Sequence, residues 1–354
     1  MATRTSATHR VLAADIGGTS CRFALFSYER RAEPDARAML QSLTLVRKVV
    51  FPTQQNTSTA MMMRTLASLA GEDGGYCTPL SPAPEYPSFA VLGVPGPAGV
   101  ADPAASGPQE PEGGVCRCPN IPWPIAQRDV ASALGGVPVR LVNDFVVQGF
   151  AAALLPGMLD ATPVLAGTAD ARYPVAVIGA GTGLGHCAVL PGSTPRVLGS
   201  EAGHCLFPFE GGEEQAYAKA LAAHHGTERI VCDYVVSGGG LASLYAFHTG
   251  EKLPPREVPA RAAAHPATLA WMARFYGRAC RQYVLATRAL GGVYIAGGLA
   301  ANLPEVLLHP AFAQALRGND AMTHMLETVP VWRIRNQDAG LVGAAVFAVL
   351  AVCA

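Results

Sequence analysis

Asp15-Ile16-Gly17-Gly18-Thr19 stands between two short apolar runs, Val11-Leu12-Ala13-Ala14 and Phe23-Ala24-Leu25-Phe26. Strand, tight glycine turn, strand is the reading of that pattern: a β-hairpin near the start of the chain. About 160 residues later the same pattern recurs. Val175-Ala176-Val177-Ile178 leads into Gly179-Ala180-Gly181-Thr182-Gly183-Leu184-Gly185, and His186-Cys187-Ala188-Val189-Leu190 leads out. Two such hairpins imply a duplicated α/β architecture with a cleft between the halves.

The stretches between the hairpins fit that frame. Val137 to Val142 reads as a strand ending at Asn143-Asp144, and Phe145 to Leu155 reads as a helix. Asp144 is thereby set at the C-terminal end of a strand, the edge where α/β sheets bind ligands. Glu213–His224, Gly240–His248 and Ala267–Arg288 read as helices, and Val293–Ala296 as a buried strand before Gly297-Gly298. Residues 71–87 and 93–124 are rich in Gly and Pro and read as largely loop. Within them, 103–118 has almost nothing to bury and reads as a mobile surface insertion.

Each motif carries its own chemistry. Glycines in a hairpin turn let backbone N–H groups approach an anion, and Gly17 and Gly18 suit that use. Thr19 adds a hydroxyl, and Asp15 can help hold Mg²⁺ through water; an ordinary hairpin turn is the alternative. The 179–185 run is not a dinucleotide fingerprint, which needs glycine at first, third and sixth places. Counted from Gly179 or Gly181, the sixth place is Leu184 or His186. No Gly-Lys-Ser/Thr occurs either, so a second phosphate hairpin remains, with Gly181, Thr182 and Gly183 at its turn. Glu201 and His204, separated by Ala202-Gly203, can both bond vicinal hydroxyls, or can form a structural pair. Asn143 can fix a hydroxyl beside the Asp144 carboxylate. Gly238, Gly239, Gly297 and Gly298 border predicted elements, where backbone can lie against an adenine or ribose; helix starts and C-caps also explain such glycines.

Composition narrows the partners. The chain has 354 residues, half of them apolar, enough for about two domains with sizeable cores. Net charge is zero and no run of five like charges occurs, which argues against nucleic acid and anionic membrane as partners. The nine scattered cysteines form no framework and read as reduced thiols. Cys116-Arg117-Cys118 supplies two ligands, too few for a zinc site. The apolar run at the N-terminus is too short for a signal-peptide core. The tail from Leu341 to Ala354 is shorter than the roughly 20 residues of a membrane span and reads as a buried helix. Cytoplasm is the expected location.

In this order and spacing the motifs resemble the bacterial glucokinase family, within the sugar kinase, actin and heat-shock chaperone superfamily. The resemblance runs from Asp15–Arg22 through Asn143-Asp144-Phe145, 179–185, Glu201–His204, Ser237–Leu241 and Gly292–Gly298 to Asn336–Ala344. It implies two ribonuclease-H-like (actin-like ATPase) domains flanking an active-site cleft. Residues 1–150 would form a small N-terminal domain completed by a C-terminal helix at 337–354, and 151–336 a large domain. It implies transfer of the ATP γ-phosphoryl group to glucose with Asp144 as base, Mg²⁺ as cofactor, and a homodimer. Asn120, Asn143, Glu201 and His204 match sugar ligands, the two hairpin turns match phosphate loops, and the later Gly runs match adenosine contacts. Asp233 stands where the family carries a glutamate that binds sugar, four residues before Ser237. The cysteine-rich zinc signature of the related repressor and kinase group is absent. A kinase for another hexose, mannose or an N-acetyl sugar, is the nearest rival. An actin- or chaperone-like ATPase is a more distant one, since it has no need of the hydroxyl-binding set.

Overall fold

The computed structural model describes residues 7–18, 20–30, 36–55, 57, 60–61, 64–65, 87–96, 114–118, 121–154, 160–192 and 196–353. Thr19, Asn120 and residues 103–113 lie outside them. The chain forms two compact units, one of Met1–Leu155 with Asp338–Ala354 and one of Pro156–Gln337.

The first unit contains β1 (Ala7–Ile16), β2 (Ser20–Arg30), β3 (Thr44–Pro52), β4 (Phe89–Val94), the short β5 (Val115–Cys116) and β6 (Ile125–Ala126), and β7 (Val139–Asn143). Five of these make one sheet in the order β3-β2-β1-β4-β7. β1 pairs antiparallel with β2 and parallel with β4, and β4 pairs parallel with β7. Val11 to Ala14 are fully buried, as a central strand covered on both faces requires. The C-terminal helix Ala339–Cys353 packs on β1, β4 and the helix Asp144–Leu154, and Ala339 to Val349 are buried. Close approach explains its glycine at 343, where a Cβ would overlap the Val147 carbonyl. Phe347 meets Phe150 edge-on at 5.3 Å.

The second unit contains β8 (Ala161–Leu165), β9 (Val175–Ala180), β10 (Leu184–Leu190), β11 (Arg196–Ser200), β12 (Gly292–Ala296) and β13 (Val331–Ile334), in the order β11-β10-β9-β12-β13-β8. Without β8, this order and its antiparallel and parallel pairings repeat those of the first sheet. The duplication read from two hairpins is therefore present in the topology. Helices Gly211–His225, Gly238–Thr249 and Pro266–Thr287 stand where the sequence places them. Ser237 caps the second by accepting the Gly240 N–H at 3.1 Å, and Gly250 ends it at φ 75°, the usual polar start and glycine stop.

The loop reading of 93–124 holds for most of its described residues, apart from short strands. β4 reaches into it, and β5 and β6 pair within and just beyond it. The end of the 103–118 segment departs from the reading of a surface insertion with almost nothing to bury, because Cys116 and Cys118 are buried with their Sγ atoms 3.5 Å apart. Thiols are small apolar groups, and two of them give this polar stretch something to bury. Among the described residues no helix is long and apolar enough to cross a membrane.

Candidate active site

The first hairpin turn is built from the side of its carbonyls. The buried Thr53 hydroxyl donates to Gly17 O at 2.6 Å, and Gln54 Nε2 donates to Gly18 O at 3.0 Å. The Thr53 proton is thus spent, so the Cys21 thiol, 3.1 Å away, donates to its oxygen. Burial, opposed by the Thr53 contact, pushes that thiol up to about 11, so it keeps its proton. Trp123 Nε1 holds Thr53 O at 3.3 Å.

Asp15 stands two residues before the turn and opposite Arg22 in the strand register. Arg22 Nη1 lies 3.3 Å from its Oδ2. Burial raises the Asp15 carboxyl above its ordinary value; Arg22 opposes that rise and Asp338 adds to it. Gly340 packs directly on this carboxyl, 2.9 Å from a would-be Cβ to Cγ. Asp338 is itself paired with Lys48 at 2.6 Å.

β7 ends at Asn143 and Asp144 opens the next helix. Asn143 caps that helix: its Oδ1 accepts the Phe145 and Val146 N–H groups at 3.0 and 3.2 Å. Its Nδ2 donates to Gly96 O at 3.0 Å, which leaves the second Nδ2 proton for another acceptor. Asp144 is half-buried, and its Oδ1 accepts the Phe145 N–H at 3.0 Å.

In the second unit the turn 181–183 closes through Gly181 N–H to Gly183 O at 2.7 Å. Gly181 O accepts the Gly238 N–H at 2.9 Å. Gly297 adopts φ 88°, and a Cβ there would strike the Ala180 backbone; only glycine satisfies both demands. The structure therefore gathers the glycine stretches at 181–183, 238–240 and 297–298 around the end of β9. Thr182 and Gly239 are exposed, and a Cβ on Gly181 would meet open space.

Glu201 precedes, and His204 ends, a single 3-10 turn, Ala202–His204. Their side chains are 57% and 66% exposed, with His204 Nε2 3.8 Å from Glu201 Oε2. A surface pair of this kind contributes little to stability and leaves both heads available. Asp233, on the one-turn helix Cys232–Val235, accepts the Leu184 N–H through Oδ1. Thr53, Gln54 and Gly203 carry no signal in the sequence pattern. Arg22 does, because a hairpin register places it across from Asp15.

The glucokinase family model matches residues 12–351. The glucokinase of Pseudomonas aeruginosa is 31% identical over 355 residues, covering 95% of this chain and 93% of that protein. Among solved structures, the glucokinase of Balamuthia mandrillaris in complex with glucose superposes at TM-score 0.73 with 18% identity, covering 96% of this chain and 94% of that one. A ROK family glucokinase from Streptomyces griseus in complex with glucose and AMPPNP superposes at 0.61 with 18% identity, covering 96% and 99%. Those two likenesses establish the ribonuclease-H-like fold of the actin-like ATPases. The family model and the full-length relative establish more: this chain belongs to the glucokinase family.

Proposed function

We propose that the protein transfers the γ-phosphoryl group of ATP to the 6-hydroxyl of glucose, with Asp144 as the base. The observation that carries the reading is the placement of Asp144 at the end of β7, in a chain of this family. Asp144 accepts the hydroxyl proton as the oxygen attacks, and the loose transition state asks otherwise for alignment and charge neutralisation. The remaining Asn143 proton, Glu201, His204 and, outside the described residues, Asn120 take the sugar hydroxyls. The turns at Gly17-Gly18 and Gly181–Gly183, with Thr19 and Thr182, cradle phosphates. Gly238, Gly239, Gly297 and Gly298 offer flat backbone to adenosine.

Mg²⁺ fits Asp15 only at second hand. The carboxylate is half-buried and already shares Oδ2 with Arg22, so it reaches a cation through water, while phosphate and water oxygens supply the other ligands. When bound, the ion neutralises phosphate charge. None of the eight described cysteines is in a disulfide, which suits a cytoplasmic setting; a homodimer is proposed from the family resemblance alone.

A coupled assay with Mg²⁺, several phosphoryl donors and a panel of glucose, mannose and N-acetyl sugars tests the reading. Glucose-dependent ADP release from ATP is expected. ATP hydrolysis equal with and without every sugar sinks it in favour of a chaperone-like ATPase.

A further inference from the structure

We infer that Asp233 is a positioning residue for the second phosphate turn, and that its carboxylate sets nucleotide binding rather than gripping the sugar. This rests on the proposed kinase reading only for the ligand at the turn.

Leu184 is the first residue after the turn 181–183. Asp233 Oδ1 accepts its N–H at 2.5 Å. Gly183, one residue earlier, lies so close that a Cβ there would overlap the same Oδ1. Residue 183 is glycine and residue 233 is a short carboxylate for one shared reason: the acid comes in against the turn's backbone. Bonds to an ionised acceptor are about twice as strong as neutral ones, which suits a contact that holds a glycine-rich turn in one shape.

The opposite end of the turn is held by the same short stretch of chain. Gly238 N–H, five residues beyond Asp233, donates to Gly181 O at 2.9 Å. On its other side Asp233 is tied to the Glu201–His204 segment. Cys232 N–H donates to Cys205 O at 2.9 Å, and Gly203 packs so tightly on the Leu184 carbonyl that a Cβ would overlap it. Leu184 is therefore hydrogen-bonded by Asp233 at its N–H and packed against by Gly203 at its C=O. Asp233 sits where the phosphate turn, the start of the Gly238–Thr249 helix and the Glu201–His204 turn meet. A carboxylate engaged there fixes the distance between turn and neighbours. The chain differs at this place from a family whose glutamate binds sugar, and the shorter acid has a backbone partner in reach.

The test uses the whole protein and five forms: wild type, Asp233→Ala, Asp233→Asn, Gly183→Ala and the Gly183→Ala/Asp233→Ala double variant. Thermal melting checks folding, calorimetry with Mg²⁺ gives Kd for ATP and for glucose, and steady-state kinetics gives kcat and both KM values. Asp233→Ala is expected to raise Kd and KM for ATP roughly 10- to 100-fold, the loss of one charged hydrogen bond, and to leave the glucose Kd within about twofold of wild type. Asp233→Asn keeps an acceptor oxygen, and its ATP Kd is expected to stay within about threefold of wild type. Gly183→Ala displaces the carboxylate and is expected to mimic Asp233→Ala. The double variant is expected to bind ATP about as well as either single one, the signature of a shared interaction.

A glucose Kd that rises in Asp233→Ala while the ATP Kd holds overturns the inference and restores Asp233 to the sugar. Additive effects of the two substitutions, or a Gly183→Ala variant that binds ATP as tightly as wild type, overturn it too. Should Asp233→Ala fail to fold, Gly183→Ala alone decides by the same pair of constants. A protein that shows this ATP pattern but phosphorylates no hexose leaves the clamp standing and defeats the kinase reading; a wild type that binds no ATP defeats both.

Discussion

The two hairpin turns occupy the same station in two sheets of the same strand order, and they are supported from opposite sides. At the first, Asp15 faces Arg22 across the strands; at the second, the residue two before the turn is Gly179, and it faces Gly185. The first turn is held by donors, Thr53 and Gln54, which take up the carbonyls of Gly17 and Gly18. The second is held by an acceptor, Asp233, which takes up a backbone N–H, and by the Gly238 N–H on Gly181 O. Duplication preserved the backbone path and not the chemistry around it. The first turn carries its charge at its own base, beside the candidate cation ligand. The second imports its one carboxylate from 49 residues away.

The strongest way to break the comparison is to remove the chemistry from the first unit. Asp144→Asn is expected to lower kcat roughly 10²- to 10⁴-fold, with the glucose Kd by calorimetry little changed. If turnover survives, Asp144 is not the base and the chemistry does not reside at the end of β7.

Glycine substitutions come next. Gly297→Ala forces a positive φ on alanine and drives its Cβ into the Ala180 backbone. That combination is expected to cost about 2–5 kcal/mol in urea denaturation. Gly17→Ala, whose Cβ would lie 3.3 Å from Ser20 O, is expected to cost less than about 1 kcal/mol. Equal losses would mean that the backbone leading into the second turn is packed no more tightly than the first turn.

Acid separates the units with opposite signs. His186 on β10 is buried, and that burial depresses its imidazole to about 4. Between the ordinary value of 6.5 and about 4 the unfolded chain binds the proton and the folded chain does not. His186 therefore costs no stability above pH 6.5 and about 2–3 kcal/mol by pH 4. His186→Gln is expected to flatten that part of the pH–stability curve. Asp15 works the other way. Its raised carboxyl binds a proton in the folded state first, so its penalty falls as pH drops toward 3.8, and Asp15→Asn is expected to remove that slope.

The smallest effect sharpens the contrast of donor and acceptor. Thr53→Val keeps the shape and loses the hydroxyl on Gly17 O. It is expected to raise the ATP Kd about fivefold, one neutral hydrogen bond worth about 1 kcal/mol, less than Asp233→Ala. A larger effect than that of Asp233 would reverse the ranking of the turns.

Much of the fold is legible because its punctuation is local. Apolar runs ending in Asp15-Ile16-Gly17-Gly18, Asn143-Asp144 or Gly297-Gly298 announce a strand together with the turn or helix after it. Strands β3, β4 and β13 give no such signal. Phe89–Val94 lies among prolines and glycines that mark loops, and Thr44–Pro52 is an edge strand whose exposed Leu45, Val46 and Val50 give no alternation to trace. The buried Cys116-Arg117-Cys118 stretch is silent for a related reason: two thiols among Gly, Pro and Glu leave no periodic signal.

By itself the sequence determined the class of the protein, the two turns, and the station of Asp144, since each depends on residues within a few places of one another. Tertiary structure alone decided what each polar group is spent on. It bound the Asn143 amide to Gly96 O and made Thr53 the prop of the first turn, and it turned Asp233 toward Leu184. A backbone N–H donates to any carboxylate that comes within reach, so the choice is made by how distant segments meet.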